Sequence, residues 1–145
     1  MTVNAAALLN ELKTDPKQLH YAGQPTAQLL ALLNTPGLSG ETCPNAAVDM
    51  ADVMIVIDLA EWSALTQPIR DYLIRVSYFP TIDLTNPVVQ GKIASIFPAQ
   101  GNTAKGLAAL ETRPCSRAEA LFAPGDAVTA NDLTSAAALN GGTLP

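Results

Sequence analysis

Proline and glycine interrupt this chain so often that no long helical pattern can form. The sequence has 11 prolines and 9 glycines among its 145 residues. Breakers such as Thr14-Asp15-Pro16 and Pro98-Ala99-Gln100-Gly101 separate its apolar segments. Because proline lacks a backbone N–H and clashes with a preceding helical turn, it is found where helices end or begin. The chain therefore predicts many short helices joined by irregular connectors.

Apolar residues at helical spacing lie between these breakers. Ala5, Leu8 and Leu12 predict a first helix, and Thr26 opens a second that ends near Asn34. Residues that accept hydrogen bonds from free N–H groups predict later helix starts, and Ser116 with Glu119 forms a capping box. The other predicted caps are Asp58, Thr66, Asn86 and Asn102. We expect one all-α domain over residues 1–145, a compact bundle of about six to eight short helices with a loose C-terminus at 140–145.

Residues 47–57 are the ambiguous part of the chain. The β-branched run 53–57 suggests a buried strand, whereas Met50, Met54 and Ile57 also lie on one face of a helix. We favour the helix, which would be apolar over most of its circumference. Such a helix packs either in the centre of the core or against a neighbouring subunit. Val53 and Val56 are therefore candidate interface residues.

The composition is short of solvating charge. Hydrophobic residues make up 48% of the chain and charged residues 14%, against roughly 25% charged in ordinary soluble domains. This fits a subunit that buries surface in an assembly, although a compact alanine-rich monomer has the same composition. Residues 35–45 predict an exposed arm in which Leu38 is a candidate interface residue, and Trp62 is either a core anchor or an interface residue.

The charge argues against specific nucleic-acid binding. The net charge is −5 and the eight basic residues are scattered, whereas phosphate binding needs clustered Lys and Arg. Residues 116–139 resemble a helix-turn-helix, but the second helix carries no Lys or Arg, which favours a packing hairpin. An acidic chain is still compatible with lining a channel through which DNA slides.

The sequence contains few residues in the patterns that catalytic, cofactor or metal sites require. His20 is the single histidine and no serine lies in a nucleophile motif, so a loop histidine with local hydrogen bonds is expected. Asp49 and Asp52 are expected to be the solvated side of a helix. No glycine-rich phosphate loop occurs. We therefore expect no enzyme activity, no cofactor and no metal.

The two cysteines are expected to be free thiols. Cys43 and Cys115 lack the spacing of a zinc site, and a disulfide between them requires an oxidising compartment. The first residues have neither the basic nor the apolar region of a secretion signal. The apolar run 53–57 is too short to span a bilayer, so we expect no membrane association.

Several segments, taken in order, resemble a family of small virion-module proteins that tailed bacteriophages encode among their structural genes. They cover most of the chain, and their order is more specific than any one of them. The segments are 12–16, 21–23, 32–34, 57–66, 96–97, 101–103 and 112–122. The stretch 17–20 departs from the family, whose members tend to carry glycine and arginine there, so no role of that loop is transferred.

The resemblance implies a non-enzymatic structural protein of the virion, assembled in the host cytoplasm. By analogy of class, a small helical protein of this kind is similar to the adaptor or connector subunits that ring the portal at the head–tail junction. Its expected partners are identical subunits in a ring and the portal or other neck and tail proteins. A capsid decoration protein or another tail component is the alternative within this class. A small regulatory binding module that uses the 116–139 hairpin is the alternative from another class.

Overall fold

A computed structural model describes residues 3–145; Met1 and Thr2, on which part of the secretion-signal expectation rests, lie outside them. Within that range the chain is mostly helical, with nine helices and four short strands. The helices are α1 Ala5–Thr14, α2 Thr26–Asn34, α3 Met50–Val56, α4 Leu59–Ala64, α5 Gln67–Val76, α6 Pro87–Ile96, α7 Asn102–Leu110, α8 Arg117–Leu121 and α9 Ala130–Leu139. The strands are β1 Thr42–Pro44, β2 Val48–Asp49, β3 Thr81–Ile82 and β4 Thr112–Pro114.

The strands correct the all-α expectation. They form two small sheets, β1 with β4 and β2 with β3. In the second sheet Val48 lies opposite Ile82 and Asp49 opposite Thr81, in antiparallel register. Each strand is two or three residues long and pairs with a segment remote in sequence, so no local alternation of apolar and polar residues marks it.

The residues group into two compact units. Unit 1 comprises Met1–Cys43 and Pro114–Pro145, and unit 2 comprises Pro44–Arg113. The single domain expected over 1–145 stays a prediction.

The core of unit 1 lies between α1, α2 and α9. Leu8 and Leu33 are completely buried there, and the residues before α9 are fixed to the end of α2. The Asn34 side chain donates to the Val128 carbonyl and accepts from the Val128 N–H, both at 2.8 Å. At the C-terminus Leu144 packs against this core, and the Pro145 carbonyl accepts from the Gly23 N–H.

The core of unit 2 is built around α3 and α7. Val48, Met50, Val53, Leu84 and Leu107 are the buried residues of its apolar cluster. The helix favoured for the ambiguous segment is confirmed for Met50–Val56, while the two residues before it form β2. In contrast to α3 and α7, helices α4, α5 and α6 contribute no fully buried residue. These three helices of unit 2 therefore pack against its core only through partly buried residues.

Most predicted helix starts are confirmed. Asp58 accepts hydrogen bonds from the N–H groups of Ala60 and Glu61, and Asn86 accepts from Val88. The capping box of Ser116 is present. Thr66 occupies the cap position of α5, but its side chain makes no capping bond.

The predicted cap Asn102 is wrong, because a residue from another helix replaces it. The cap position of α7 is Gly101, and the carboxylate of Glu61 accepts from the N–H groups of Asn102 and Thr103 at 2.7 and 3.1 Å. The Asn102 side chain donates instead to Asp58 at 3.1 Å. The hydrogen bond from Asn102 lowers the pKa of the Asp58 carboxyl, and those from the backbone of α4 add to the effect.

Candidate functional site

Four large apolar side chains are exposed within one short stretch of unit 2, residues 72–79, which we call the α5 apolar segment. Tyr78 is 82% and Phe79 65% exposed, and Tyr72 and Ile74 are 43% and 41% exposed. Exposed apolar residues are ordinary when single. Four of them in eight residues, three of which are aromatic, are typical of a surface that binds another molecule.

The backbone N–H groups at the end of the α5 apolar segment are hydrogen-bonded. The last turn tightens as the Tyr78 N–H donates to the Arg75 carbonyl and the Phe79 N–H to Val76. Directly after the segment, the Pro80 carbonyl accepts from the Met50 N–H at 3.1 Å. The exposed aromatic residues therefore stand on a backbone that is anchored on both sides, and binding would order little of it.

The opposite side of α5 accounts for this exposure. Leu73 and Val76 line a small apolar cavity inside unit 2, together with Met50, Ile82 and Leu107. With these two side chains turned inward, Tyr72, Ile74 and the residues after the helix are left in solvent.

Cationic groups accompany the α5 apolar segment. Among the described residues, the Arg70 Nε atom is a buried side-chain nitrogen without a hydrogen-bond partner. The ammonium of Lys92 lies 5.2 Å from the centre of the Tyr72 ring, within the range of a cation–π interaction. Arginine and tyrosine together are the residue types that most often dominate binding energy at protein interfaces.

The interface residues predicted from the sequence lie elsewhere. Val53 is 8% exposed and belongs to the core of unit 2, and Val56 is half-buried on the same helix, α3. Trp62 is half-buried at a shallow depression that it shares with Met54 and Leu59. Leu38 is 49% exposed in the turn before β1. Sequence reasoning missed Tyr78 and Phe79, although two adjacent aromatic residues at a helix end are a visible signal.

Unit 1 contains a cluster of charged side chains around Arg117. The guanidinium forms two hydrogen bonds of 2.8 Å with the carboxylate of Glu11 and one of 2.5 Å with Glu41. Lys17 lies 3.3 Å from Glu41, and the Tyr21 hydroxyl donates to Glu11 at 3.1 Å. Arg117 and Glu11 are 8% and 3% exposed. The charges balance and every group has a partner, which is the condition under which charges can be buried.

The pKa values of this cluster follow from its contacts. Hydrogen bonding to Glu11 raises the pKa of Arg117, and burial raises the pKa of the Tyr21 hydroxyl, with the Glu11 carboxylate adding to the effect. Partial burial would raise the pKa of Glu41, but the hydrogen bonds from Arg117 and Lys17 outweigh it and lower the value. The charged forms of Arg117 and Glu41 are thus stabilised, and the cluster holds α1, α8 and the residues before β1 together.

The two cysteines form a disulfide, which differs from the free thiols expected. Cys43 and Cys115 are joined with their Cα atoms 5.5 Å apart, a separation that suits a disulfide. They are 5% and 0% exposed. The sequence could not show this, because the two residues are 72 positions apart and meet only through the fold.

The polar residues considered for chemistry have local structural contacts. Asp49 caps α3 by accepting from the Ala51 N–H at 2.8 Å, and Asp52 is exposed in the first turn. His20 is exposed, and its backbone N–H donates to the Asp15 carboxylate at 2.8 Å. Among residues 3–145 no group of three or more His, Cys, Asp or Glu side chains is arranged to hold a metal ion. No helix in that range is long and apolar enough to cross a membrane.

The hairpin of α8 and α9 is tied into unit 1. Arg117 is the only basic residue of the stretch 116–139, and it is occupied by Glu11 and Glu41. On α9, Leu133 and Ala136 are buried in the unit 1 core. This hairpin therefore presents no cation for a phosphate group.

Comparisons of the chain with protein-family models, with curated proteins and with solved structures found no match.

Proposed function

We propose that this chain is a non-enzymatic structural subunit that assembles with identical copies through the α5 apolar segment of unit 2. The observation that carries the proposal is the exposure of Tyr78 and Phe79, at 82% and 65%, on an anchored backbone. Aromatic residues are enriched in the cores of protein interfaces and among the residues that dominate binding energy.

The partial burial of unit 2 supports the same proposal. Helices α4, α5 and α6 have no buried residue, and Ile55 on α3, Leu59 on α4 and Val88 on α6 are 78%, 80% and 81% exposed. With 14% charged residues, the chain has little charge to solvate such a surface. Covering it with another subunit would remove this apolar area from water.

The setting that we propose is the virion of a tailed bacteriophage, with the chain as a head–tail connector or neck subunit in a ring beside the portal. This part rests on the resemblance of the ordered segments between residues 12 and 122 to small virion-module proteins. A ring is built from heterologous contacts, in which a surface of one copy meets a different surface of the next. The absence of basic clusters suits a ring through which DNA passes without binding.

The test is sedimentation of the purified chain over a wide concentration range, compared with the double variant Tyr78→Ser/Phe79→Ser. We expect the wild type to associate. The double variant should raise the dissociation constant at least roughly 30-fold, because the loss of a single aromatic anchor worth about 2 kcal/mol has that effect. Leu139→Ser is the matched control, since Leu139 is 59% exposed but lies on α9 in unit 1. It should associate as the wild type does.

Two results would refute the assembly proposal: a wild type that stays monomeric at high concentration, or a double variant that associates as tightly as the Leu139→Ser control. The virion setting is tested separately by mass spectrometry of purified particles. Absence from the particle would overturn it, and cryo-microscopy of particles that contain the chain would distinguish the neck from the capsid surface.

A further inference from the structure

The disulfide joins the residues that flank unit 2 in the sequence. Unit 2 is Pro44–Arg113, and the bonded residues are Cys43 and Cys115, so the bond encloses all of unit 2 in one covalent loop. Both cysteines themselves belong to unit 1. The bond therefore joins the two points at which the chain leaves unit 1 and returns to it.

Besides the disulfide, hydrogen bonds and an ion pair within unit 1 connect the segments that carry the two cysteines. The Cys115 N–H donates to the Glu41 carbonyl at 3.1 Å, and the Cys115 carbonyl accepts from the Gly37 N–H at 2.9 Å. Two residues before Cys43 and two after Cys115, the side chains of Glu41 and Arg117 form the ion pair described above. None of these contacts involves a sulfur atom.

We propose that Cys43 and Cys115 form a redox clasp. In an oxidising medium the disulfide links the two ends of unit 2. In a reducing medium the Glu41–Arg117 pair and the backbone hydrogen bonds of Cys115 hold the two free thiols close together, so that the disulfide can form again. The proposal does not depend on assembly or on a phage origin. Disulfides persist in oxidising compartments, whereas the cytosol keeps cysteines as thiols. The fraction of chains with the Cys43–Cys115 bond therefore depends on the compartment in which the protein is located.

Closure requires a thiol oxidant, and we specify a low-molecular-weight disulfide of the glutathione type. The thiolate of one cysteine attacks a sulfur of the oxidant, which forms a mixed disulfide and releases one glutathione thiol. The second cysteine thiolate attacks the protein sulfur of that mixed disulfide, which forms the Cys43–Cys115 bond and releases the second glutathione. Two electrons pass to the oxidant, and the two thiol protons end on the two released thiols.

The test is a glutathione equilibrium of the full chain, measured in native buffer and in concentrated urea. Reduced and oxidised glutathione are mixed at graded ratios, the reaction is approached from both directions because the sulfurs are buried, and acid-quenched samples are alkylated and weighed by mass spectrometry. The entropy of closing a loop of this length corresponds to a roughly 10³-fold stronger preference for the disulfide in the folded chain. A single-cysteine control, Cys43→Ser, should give only the mixed disulfide.

Circular dichroism of the reduced chain completes the experiment. We expect native helical content after reduction and full return of the bond when oxidised glutathione is restored, with no mixed disulfide accumulating. The clasp proposal is overturned if reduction unfolds the chain, if the mixed disulfide accumulates in native buffer, or if native and urea equilibria agree within tenfold.

Discussion

Two helical glycines of unit 2 give a matched test of the packing between α3 and α7. Gly91 and Gly106 are both the fifth residue of their helices, α6 and α7. A Cβ atom added at Gly91 meets nothing within 4 Å. At Gly106 the added Cβ would lie 2.7 Å from the Cβ of Val56 and 3.3 Å from the Val56 carbonyl oxygen. The glycine therefore permits α7 to approach the backbone of α3.

The two alanine variants should change stability in different directions. Alanine is favoured over glycine in a helix interior by roughly 1 kcal/mol, so Gly91→Ala should stabilise unit 2 by up to about that amount. Gly106→Ala gains the same helix propensity but forces α7 away from Val56, and such overpacking costs about 1–3 kcal/mol. We expect Gly106→Ala to be less stable than Gly91→Ala by roughly 1–3 kcal/mol.

Urea unfolding followed by tryptophan fluorescence measures this difference. Trp62 is the single tryptophan and lies in unit 2, so its emission reports the unit that carries both substitutions. The disulfide is kept oxidised throughout, so that all variants share one unfolded loop. Equal stabilisation by the two alanines would show that α7 does not approach α3 closely at Gly106, and the packing argument would be refuted.

Three further substitutions test the polar contacts. Arg117→Met should lower the free energy of unfolding by about 3–5 kcal/mol in urea titrations, because it leaves the Glu11 carboxylate buried without its cation; a loss below 1 kcal/mol would contradict the buried pair. The pKa of Glu41 lies below its ordinary value of 4.5, so its stabilisation is present above that pH and is lost as the pH falls through the folded-state pKa. Glu41→Gln should therefore flatten the acid limb of stability against pH, measured by thermal melts, and an unchanged limb would be the adverse result. Thr103→Val removes the hydroxyl that accepts from the Asp58 N–H at 2.9 Å and should cost about 1 kcal/mol by calorimetry, with Thr103→Ser as the variant that keeps the bond.

The helix starts could be predicted from local sequence, because each capping side chain lies close in sequence to the backbone N–H groups that it binds. Asp58 and Ser116 each bind N–H groups two or three residues further on. The α7 start was mispredicted for the complementary reason. Its N–H groups bind Glu61, which is 41 positions from Asn102, and no local pattern marks that contact.

Neither the charged cluster around Arg117 nor the exposure of the α5 apolar segment was predicted, because both depend on residues that are far apart in the sequence. Glu11 and Arg117 are 106 residues apart, and each considered alone would be predicted to be a solvent-exposed charge. The exposure of Tyr72 depends on which side of α5 turns inward, and that side faces a cavity lined also by Met50 and Leu107 from other elements. Periodicity identifies an amphipathic helix, but it does not show how much of the apolar side its neighbours cover.

The disulfide has a consequence for the insertion of unit 2 in the chain, because it keeps the two ends of that unit close together. Its two ends leave unit 1 beside residues whose Cα atoms are 5.5 Å apart, so any insert with adjacent termini satisfies the same geometry. Chain ends that lie close together are the condition under which domain insertion is tolerated. A different module with adjacent termini, in place of residues 44–113, would meet the same condition at its two ends.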